Sequence, residues 1–397
     1  MIIIKEANLI CTNCGKNIEG TRALRCADCD SPLDLVFDGH GIESSKSCSA
    51  ERYRKFFPFE PHEIISMGEG ATPTVYLPRL AEKIGVSSIG IKNESMNPTW
   101  SFKDRGTSCC TTHAKALGFD HIGTVSSGNM AASVAAYGSY AGMKTTILVK
   151  ENLADEKLAP VAIYRAQLFR VAGNYDDVYT ESFKLGKAKG IYFMNSDVPF
   201  RAAGSRSISF EIAESLNFDV PEWVIVPTSS GGNLRGVISG FADMKKYGYT
   251  SRIPRFICAQ AAGCSPIAAA FEKGEMKVER FPNPDTIAHA IDNPFPPSGN
   301  ETLALLSKYN GVAIGVSEES IISAQAELAS NGLFGQPAAA VPIGAAYEAR
   351  KRGIITEKDR VVTVFTGSGL KYTAAFARHN LSWRECHVSD LKTGIRD

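Results

Sequence analysis

Short apolar runs alternate with longer stretches of helical spacing through most of the chain. From His121 onward the runs Ile122–Val125, Lys144–Val149, Gln167–Val171 and Tyr192–Asn195 predict strands. Ala131–Ala141, Leu158–Arg165 and Tyr175–Lys189 predict the helices between them. The alternation resumes with helix Ser205–Leu216, strand Trp223–Pro227, helix Leu234–Tyr247 and strand Arg255–Gln260, and a last strong strand falls at Arg360–Phe365. Before His121 the pattern predicts helix Leu77–Ile84, strand Ser88–Lys92 and helix Arg105–Leu117, after a connector, Ser44–Pro61, with a short helix of its own. Strands this short and apolar, separated by helices, imply parallel sheet covered on both faces, an α/β architecture. No internal repeat or low-complexity tract interrupts it.

Composition changes that picture little. A chain of 397 residues has room for two or three domains and a large core. The net charge of +1 gives no field that would draw nucleic acid, a membrane surface or an acidic partner. No apolar run approaches the roughly 20 residues of a membrane span. The start, Met1 to Asn8, has neither a basic leader nor a cleavage site, so a cytoplasmic protein is expected.

The ten cysteines are sparse for this length, but four of them cluster. Cys11-Thr-Asn-Cys14 and Cys26-Ala-Asp-Cys29 form two CxxC knuckles, with Gly15 permitting a tight turn after the first. Four thiolates at this spacing suit a tetrahedral zinc ribbon. The alternatives are a remnant ribbon or cysteines that oxidise together. Few basic residues (Lys16, Arg22, Arg25) and no aromatic residue lie between the knuckles, which favours a structural cap over a nucleic-acid contact.

The candidate chemistry centres on Asn97-Pro-Thr-Trp-Ser-Phe-Lys-Asp-Arg-Gly106. Lys103 follows a Pro-Thr turn and precedes a helical run. An amine withdrawn from water loses its proton more readily and can form a Schiff base with a carbonyl; the simpler alternative is an exposed lysine at a helix start. Three further loops sit where ligands collect in such folds, after strands and before helices. Ser126-Ser-Gly-Asn-Met130 offers hydroxyls, amides and a helix N-terminus suited to a carboxylate. Pro227-Thr-Ser-Ser-Gly-Gly-Asn-Leu234 has the small residues that let backbone N–H groups converge on a phosphate, and it matches no nucleotide-binding pattern. Phe365-Thr-Gly-Ser-Gly-Leu-Lys371 follows the last strong strand. Each loop, taken alone, also reads as a structural turn.

Together these stretches resemble threonine synthases and their fold-type II pyridoxal-phosphate relatives, over nearly the whole chain from the ribbon to Thr366. Ser-Phe-Lys-Asp-Arg-Gly is similar to the family's cofactor-lysine motif, and Met67-Gly-Glu-Gly-Ala-Thr-Pro-Thr74 to the Gly-rich loop before it. The resemblance implies a tryptophan synthase β-like fold, two parallel-sheet α/β domains with pyridoxal phosphate in the cleft, plus the small N-terminal ribbon. On that reading residues 1–36 are the ribbon, 37–107 and 197–397 the large cofactor-binding domain, and 108–196 the small substrate-side domain. It makes Lys103 catalytic and places Phe102, Asn129, Ser229, Ser230, Gly231, Gly232, Asn233 and Thr366 around the cofactor. Asn129 would face its 3′-oxygen, the 229–233 loop its phosphate, and the Thr366 hydroxyl its ring nitrogen. A hydroxyl there leaves the nitrogen largely unprotonated and steers reactivity towards elimination and replacement.

The resemblance also implies that Ser126 and Ser127 lie near the substrate. Ser196-Asp-Val-Pro-Phe-Arg201-Ala-Ala-Gly204 is similar to the segment that grips the phosphate of O-phosphohomoserine, through Ser196 and Arg201. It further implies a homodimer acting on a small amino-acid substrate, with structural zinc on Cys11, Cys14, Cys26 and Cys29. The family's pattern is broken at four places. Met130 stands for a threonine, Trp100 for a glycine, Gln336 for a glutamate, and Ala290-Ile-Asp-Asn-Pro294 for Ile-Arg-Ile-Gly-Asn-Pro. Met130 and Trp100 are expected to make the pocket bulkier and less polar. A related lyase or β/γ-replacement enzyme on another amino acid is therefore the alternative activity, and a non-catalytic protein whose ribbon binds a partner is the alternative class.

Overall fold

In a computed structural model, residues 4–44, 49–60, 63–151, 155–379, 381–383 and 387–388 are described. Of the Ser44–Pro61 connector, residues 45–48 and 61 lie outside the described residues.

Among the described residues two α/β sheets carry the molecule. The larger has six strands in the order Val312–Val316, Arg255–Ala261, Trp223–Pro227, Arg360–Phe365, Ser88–Asn93 and Thr74–Tyr76. The smaller has four, in the order Gln167–Val171, Lys144–Lys150, His121–Val125 and Tyr192–Phe193. Every pairing in both sheets is parallel except one: Thr74–Tyr76 runs antiparallel to Ser88–Asn93 at the edge. The parallel expectation holds for the other strands; this short edge strand, which the apolar pattern did not mark, enters from the Gly-rich loop and is joined to Ser88–Asn93 by the helix Pro78–Ile84. The interior strands of the large sheet are buried on both faces, Trp223–Pro227 at every residue, which is why they read as unbroken apolar runs.

The N-terminal residues form a three-stranded antiparallel sheet, Asn17–Ile18, Asn8–Cys11 and Leu33–Val36, with a cysteine pair in each of its two turns. This sheet lies on the helix Pro199–Ser215, where Arg206 donates from Nη2 to the Leu35 carbonyl at 2.8 Å.

That helix is the axis of the fold. It begins at Pro199, six residues before the expected Ser205, because a proline at the first helical position gives up only an N–H that has no partner there anyway. Every residue from Pro199 to Ala213 is buried, so no polar face marks its start in the sequence. Two neighbouring helices, Lys103–Ala116 and Gly232–Lys246, approach it through glycines. A Cβ on Gly204 would stand 2.7 Å from the Gly106 Cα, one on Gly106 2.8 Å from the Arg201 carbonyl, and one on Gly236 2.6 Å from the Ser205 Cβ. The missing side chains let three helices touch backbone to backbone, and each of the three carries a candidate site residue near its start.

Between Ala261 and Arg360 the structure adds helices Pro266–Glu272, Gly299–Lys308, Glu318–Ser330 and Pro337–Lys351 and the outer strand Val312–Val316, none of which the periodicity marks.

Candidate active site

Each residue of Ser101-Phe-Lys-Asp-Arg-Gly106 has a separate job. The helix starts at Lys103 itself, not at Arg105, so the lysine stands on its first turn. Asp104 accepts from the Thr99 amide and the Thr99 hydroxyl, both at 2.6 Å, and from the Ser133 hydroxyl at 2.6 Å. It thereby fastens the Pro-Thr turn and the Asn129–Tyr140 helix to the start of the lysine helix. Arg105 is buried between Glu94 and Glu211, at 2.7 and 2.6 Å. Lys92 joins Glu211 at 2.5 Å, giving two cations and two carboxylates with no charge left over. Glu211 also accepts from the Ala71 and Thr72 amides at 2.9 and 3.2 Å, which ties the Gly-rich loop into the same cluster. Burial alone would raise the Glu211 pKa, but Arg105 and Lys92 outweigh it and hold that carboxyl well below the ordinary range. Gly106 makes the close approach to Arg201.

Lys103 is therefore set by three surrounding elements. Burial, and then the Arg201 guanidinium, bring its amine from the ordinary 10.5 down to about 7. The amine stands 4.4 Å from the centroid of the Phe102 ring. Arg201, on the first turn of the central helix, donates to the Met194 carbonyl at 3.1 Å, the Thr107 hydroxyl at 3.2 Å and the Lys103 carbonyl at 3.4 Å. Its Nη2 is buried without a partner.

The expected loops meet around this lysine. Phe102 donates its amide to the Thr366 carbonyl at 3.1 Å, and Ser101 bridges to Gly367. Thr366 is buried. Asn129 opens its helix and donates from Nδ2 to Gln336 Oε1 at 3.0 Å, while the Gln336 amide donates to the Gly367 carbonyl at 3.2 Å. Ser126 and Ser127 share the half-exposed turn ahead of Asn129.

In the 228–233 loop Gly231 has φ of 92°, a left-handed turn that lets the backbone reverse into the helix at Gly232. A Cβ on Gly232 would lie 2.5 Å from the Ser196 carbonyl, so the loop and Ser196 are packed backbone against backbone. Ser229 is half-exposed on the loop, and the Ser230 hydroxyl accepts from Asn293 at 3.0 Å. The Asn233 amide, with both polar atoms buried, has no partner at either end, and the buried Ser101 hydroxyl has none either.

Orphaned polar atoms at Ser101 and Asn233 are what a group with its own oxygens would satisfy. A helix N-terminus with a glycine approach and a lysine of low pKa complete the donor set. These residues fit pyridoxal phosphate.

Comparison with known proteins supplies the rest. Residues 65–367 match the model of a family described as pyridoxal-phosphate dependent enzyme. A threonine synthase of Methanocaldococcus jannaschii is 35% identical over 98% of this chain and 99% of its own. The chain belongs to the threonine synthase-like pyridoxal-phosphate enzymes. A threonine synthase of Methanosarcina acetivorans is 33% identical over 92% of each chain. Among solved structures, a fungal L-serine ammonia-lyase from Rhizomucor miehei superposes with TM-score 0.66 at 22% identity, covering 75% of this chain and 94% of its own, a likeness of fold.

Within the threonine synthase-like family the four departures take on physical form. Trp100 has φ of 61°, a left-handed backbone that glycine adopts freely, and its side chain is 55% exposed. Met130 packs in the main hydrophobic core. The expected bulkier pocket is thus not what these two side chains build: one faces solvent and the other joins the core. Gln336 and Asn293, by contrast, touch the site directly, through Asn129 and Ser230. The sequence marks Gln336 only as a departure, and Asn293 belongs to the Asn-Pro that the departing segment Ala290–Pro294 keeps; neither position gave a sign of what it would face.

The four ribbon cysteines converge as well. Their sulfurs all lie within 4.8 Å of one another, with Cys11–Cys29 at 3.5 Å and Cys14–Cys26 at 3.8 Å. A tetrahedral ion with bonds of about 2.3 Å requires sulfur separations of about 3.8 Å, so the cluster fits one such ion.

Proposed function

We propose that the protein converts O-phosphohomoserine and water to threonine and phosphate, by γ-elimination and β-addition on pyridoxal phosphate held by Lys103. The observation that carries the substrate is Arg201. Its buried guanidinium lies close enough to Lys103 to lower the amine's pKa, and one of its nitrogens is unpartnered, as an anion receptor requires.

Pyridoxal phosphate, when bound, supplies a conjugated ring that takes up the electron pair released at the substrate's α-carbon. The chain does the rest. Gly231, Gly232 and Asn233, with the hydroxyls of Ser229 and Ser230, would hold the cofactor's phosphate at a helix N-terminus. Asn129, oriented by Gln336, would donate to its 3′-oxygen, and the Thr366 hydroxyl would serve its ring nitrogen without giving it a full proton. Ser126 and Ser127 receive the substrate carboxylate. Ser196 and Arg201 hold the γ-phosphate. The Lys103 amine would take the α-proton and then one from Cβ as phosphate leaves Cγ, and would return protons to Cγ and to Cα as the oxygen of water adds at Cβ, the remaining proton of that water going to phosphate. An amine titrating about 7 can act in both directions at neutral pH.

The ribbon is read as a structural zinc site on Cys11, Cys14, Cys26 and Cys29, supported by the sulfur geometry. The proposed domains are 1–36, 37–107 with 197–397, and 108–196. Confinement of the small sheet to His121–Phe193 supports this division, with the lysine helix straddling the first boundary. No described helix is long and apolar enough to cross a membrane; the proposed setting is cytoplasmic and the proposed assembly a homodimer.

Lys103→Ala is expected to abolish turnover and the yellow colour of the bound cofactor, and turnover surviving the change would refute the assignment. Arg201→Ala is expected to raise KM for O-phosphohomoserine by roughly 100-fold, as for loss of a buried charge-assisted pair. An unchanged KM would remove Arg201 from the site.

A further inference from the structure

Arg25 lies between the two cysteine pairs, and its side chain reaches out of the ribbon. Its Nε stays at home on Asp30 at 3.0 Å, but its Nη1 is ion-paired with Asp197, whose carboxylate is completely buried. The other oxygen of Asp197 accepts from the Tyr179 hydroxyl, which in turn stands 3.4 Å from Ser196 Oγ. One buried carboxylate therefore joins the ribbon, the small-sheet helix Tyr175–Lys189 and the segment that carries Ser196. Ser196 itself packs beneath Gly232 of the cofactor-phosphate loop.

A second tie runs in parallel. Arg235, on the first turn of the helix beginning at Gly232, donates from Nη2 to Asp34 of the ribbon at 2.6 Å and from Nη1 to Ser298 at 2.8 Å. The Ser298 amide donates to the Ser230 carbonyl at 3.0 Å. The ribbon thus grips both sides of the phosphate-handling end of the site, and it does so with charged groups.

The chemistry of Asp197 gives this contact a consequence. It is a buried negative charge one residue from Ser196, which on the proposed function faces a phosphate dianion. Unneutralised, it would repel that phosphate through a medium of low dielectric. Arg25 is the cation that cancels it, while Tyr179 supplies only a hydrogen bond.

We propose that the ribbon serves the phosphate subsite: Arg25 is a positioning residue that neutralises Asp197 and so sets Ser196 to receive the substrate's phosphate. This rests on the reading of Ser196 as a phosphate contact.

The test uses the holoenzyme and inorganic phosphate as the probe, with Arg25→Ala, Arg25→Lys and the double variant Arg25→Ala/Asp197→Asn. The dissociation constant for phosphate is read from displacement of the visible absorbance, alongside KM and kcat for O-phosphohomoserine and the melting temperature. Arg25→Ala should weaken phosphate roughly tenfold, with the change falling on KM more than on kcat, the scale of one charge-assisted contact. Arg25→Lys should retain most of the affinity, and the double variant should regain most of what Arg25→Ala loses, because the offending charge is gone.

Unchanged phosphate affinity in Arg25→Ala would overturn the proposal. So would an equal loss in the single and double variants, which would reduce Arg25 to a structural staple. A wild-type enzyme that binds no phosphate would overturn it too. Wild-type protein that binds phosphate without turning over O-phosphohomoserine would refute the substrate assignment, and the dissociation constants would still decide the role of Arg25.

Discussion

Lys103 owes its chemistry to its neighbours. Burial, with Arg201 beside it, brings the amine down to about 7, so the protonated form is the one disfavoured and the free amine prevails above that pH. In cofactor-stripped protein, attachment of pyridoxal phosphate trapped by borohydride should rise with pH through a midpoint near 7. Arg201→Ala should move that midpoint upward by removing a like charge. A midpoint near the ordinary 10.5 would show an amine still in water. The sequence marked the lysine hexapeptide, the 229–233 loop and Thr366 through their resemblance to family motifs, and the structure brings Phe102 of the first against Thr366. What was not legible depends on partners distant in sequence. Gln336 meets Asn129 and Arg25 meets Asp197 only because the fold brings them together, and nothing near Gln336 or Arg25 in the chain marks them.

At the scale of elements, three helices carry the candidate residues near their starts: the lysine helix, the central helix and the helix that begins at Gly232. Their glycine contacts predict a sharp sensitivity. Gly204→Ala puts a methyl 2.7 Å from the Gly106 Cα, with backbone on both sides and no flexible side chain to yield. It should cost about 1–3 kcal/mol and weaken cofactor retention together with stability. Thermal unfolding of the variant checks this, and a melting temperature equal to wild type would show that the helices can part at no cost. The strands and the helices around the small sheet followed the apolar pattern closely, and Gln167–Val171, Tyr175–Lys189, Trp223–Pro227 and Arg360–Phe365 have the expected limits. Pro337–Lys351 did not, because its first ten residues, Pro337 to Ala346, are buried and rich in alanine, leaving no polar face to give a period, and Pro342 interrupts it. The start of the central helix was hidden in the same way.

Across the whole molecule, the segments that follow strands Arg360–Phe365 and Tyr192–Phe193 reach Phe102 and Arg201 beside Lys103, and the ribbon is tied to Asp197 and Arg235. The Arg105–Glu211–Lys92–Glu94 cluster ties the Gly-rich loop, the large sheet, the lysine helix and the central helix together without net charge. Alternation showed the α/β class, and the resemblance to threonine synthases supplied the two-domain layout, but the ribbon's attachment was not legible: four clustered cysteines suggest a metal site and say nothing of what it leans on. The central claim is that this frame releases phosphate from O-phosphohomoserine and adds water in its place. Purified holoenzyme supplied with that substrate should yield phosphate and threonine in equal amounts, with no free ammonia. A change in the cofactor's absorbance without phosphate release, or phosphate accompanied by ammonia and a keto acid instead of threonine, would contradict it.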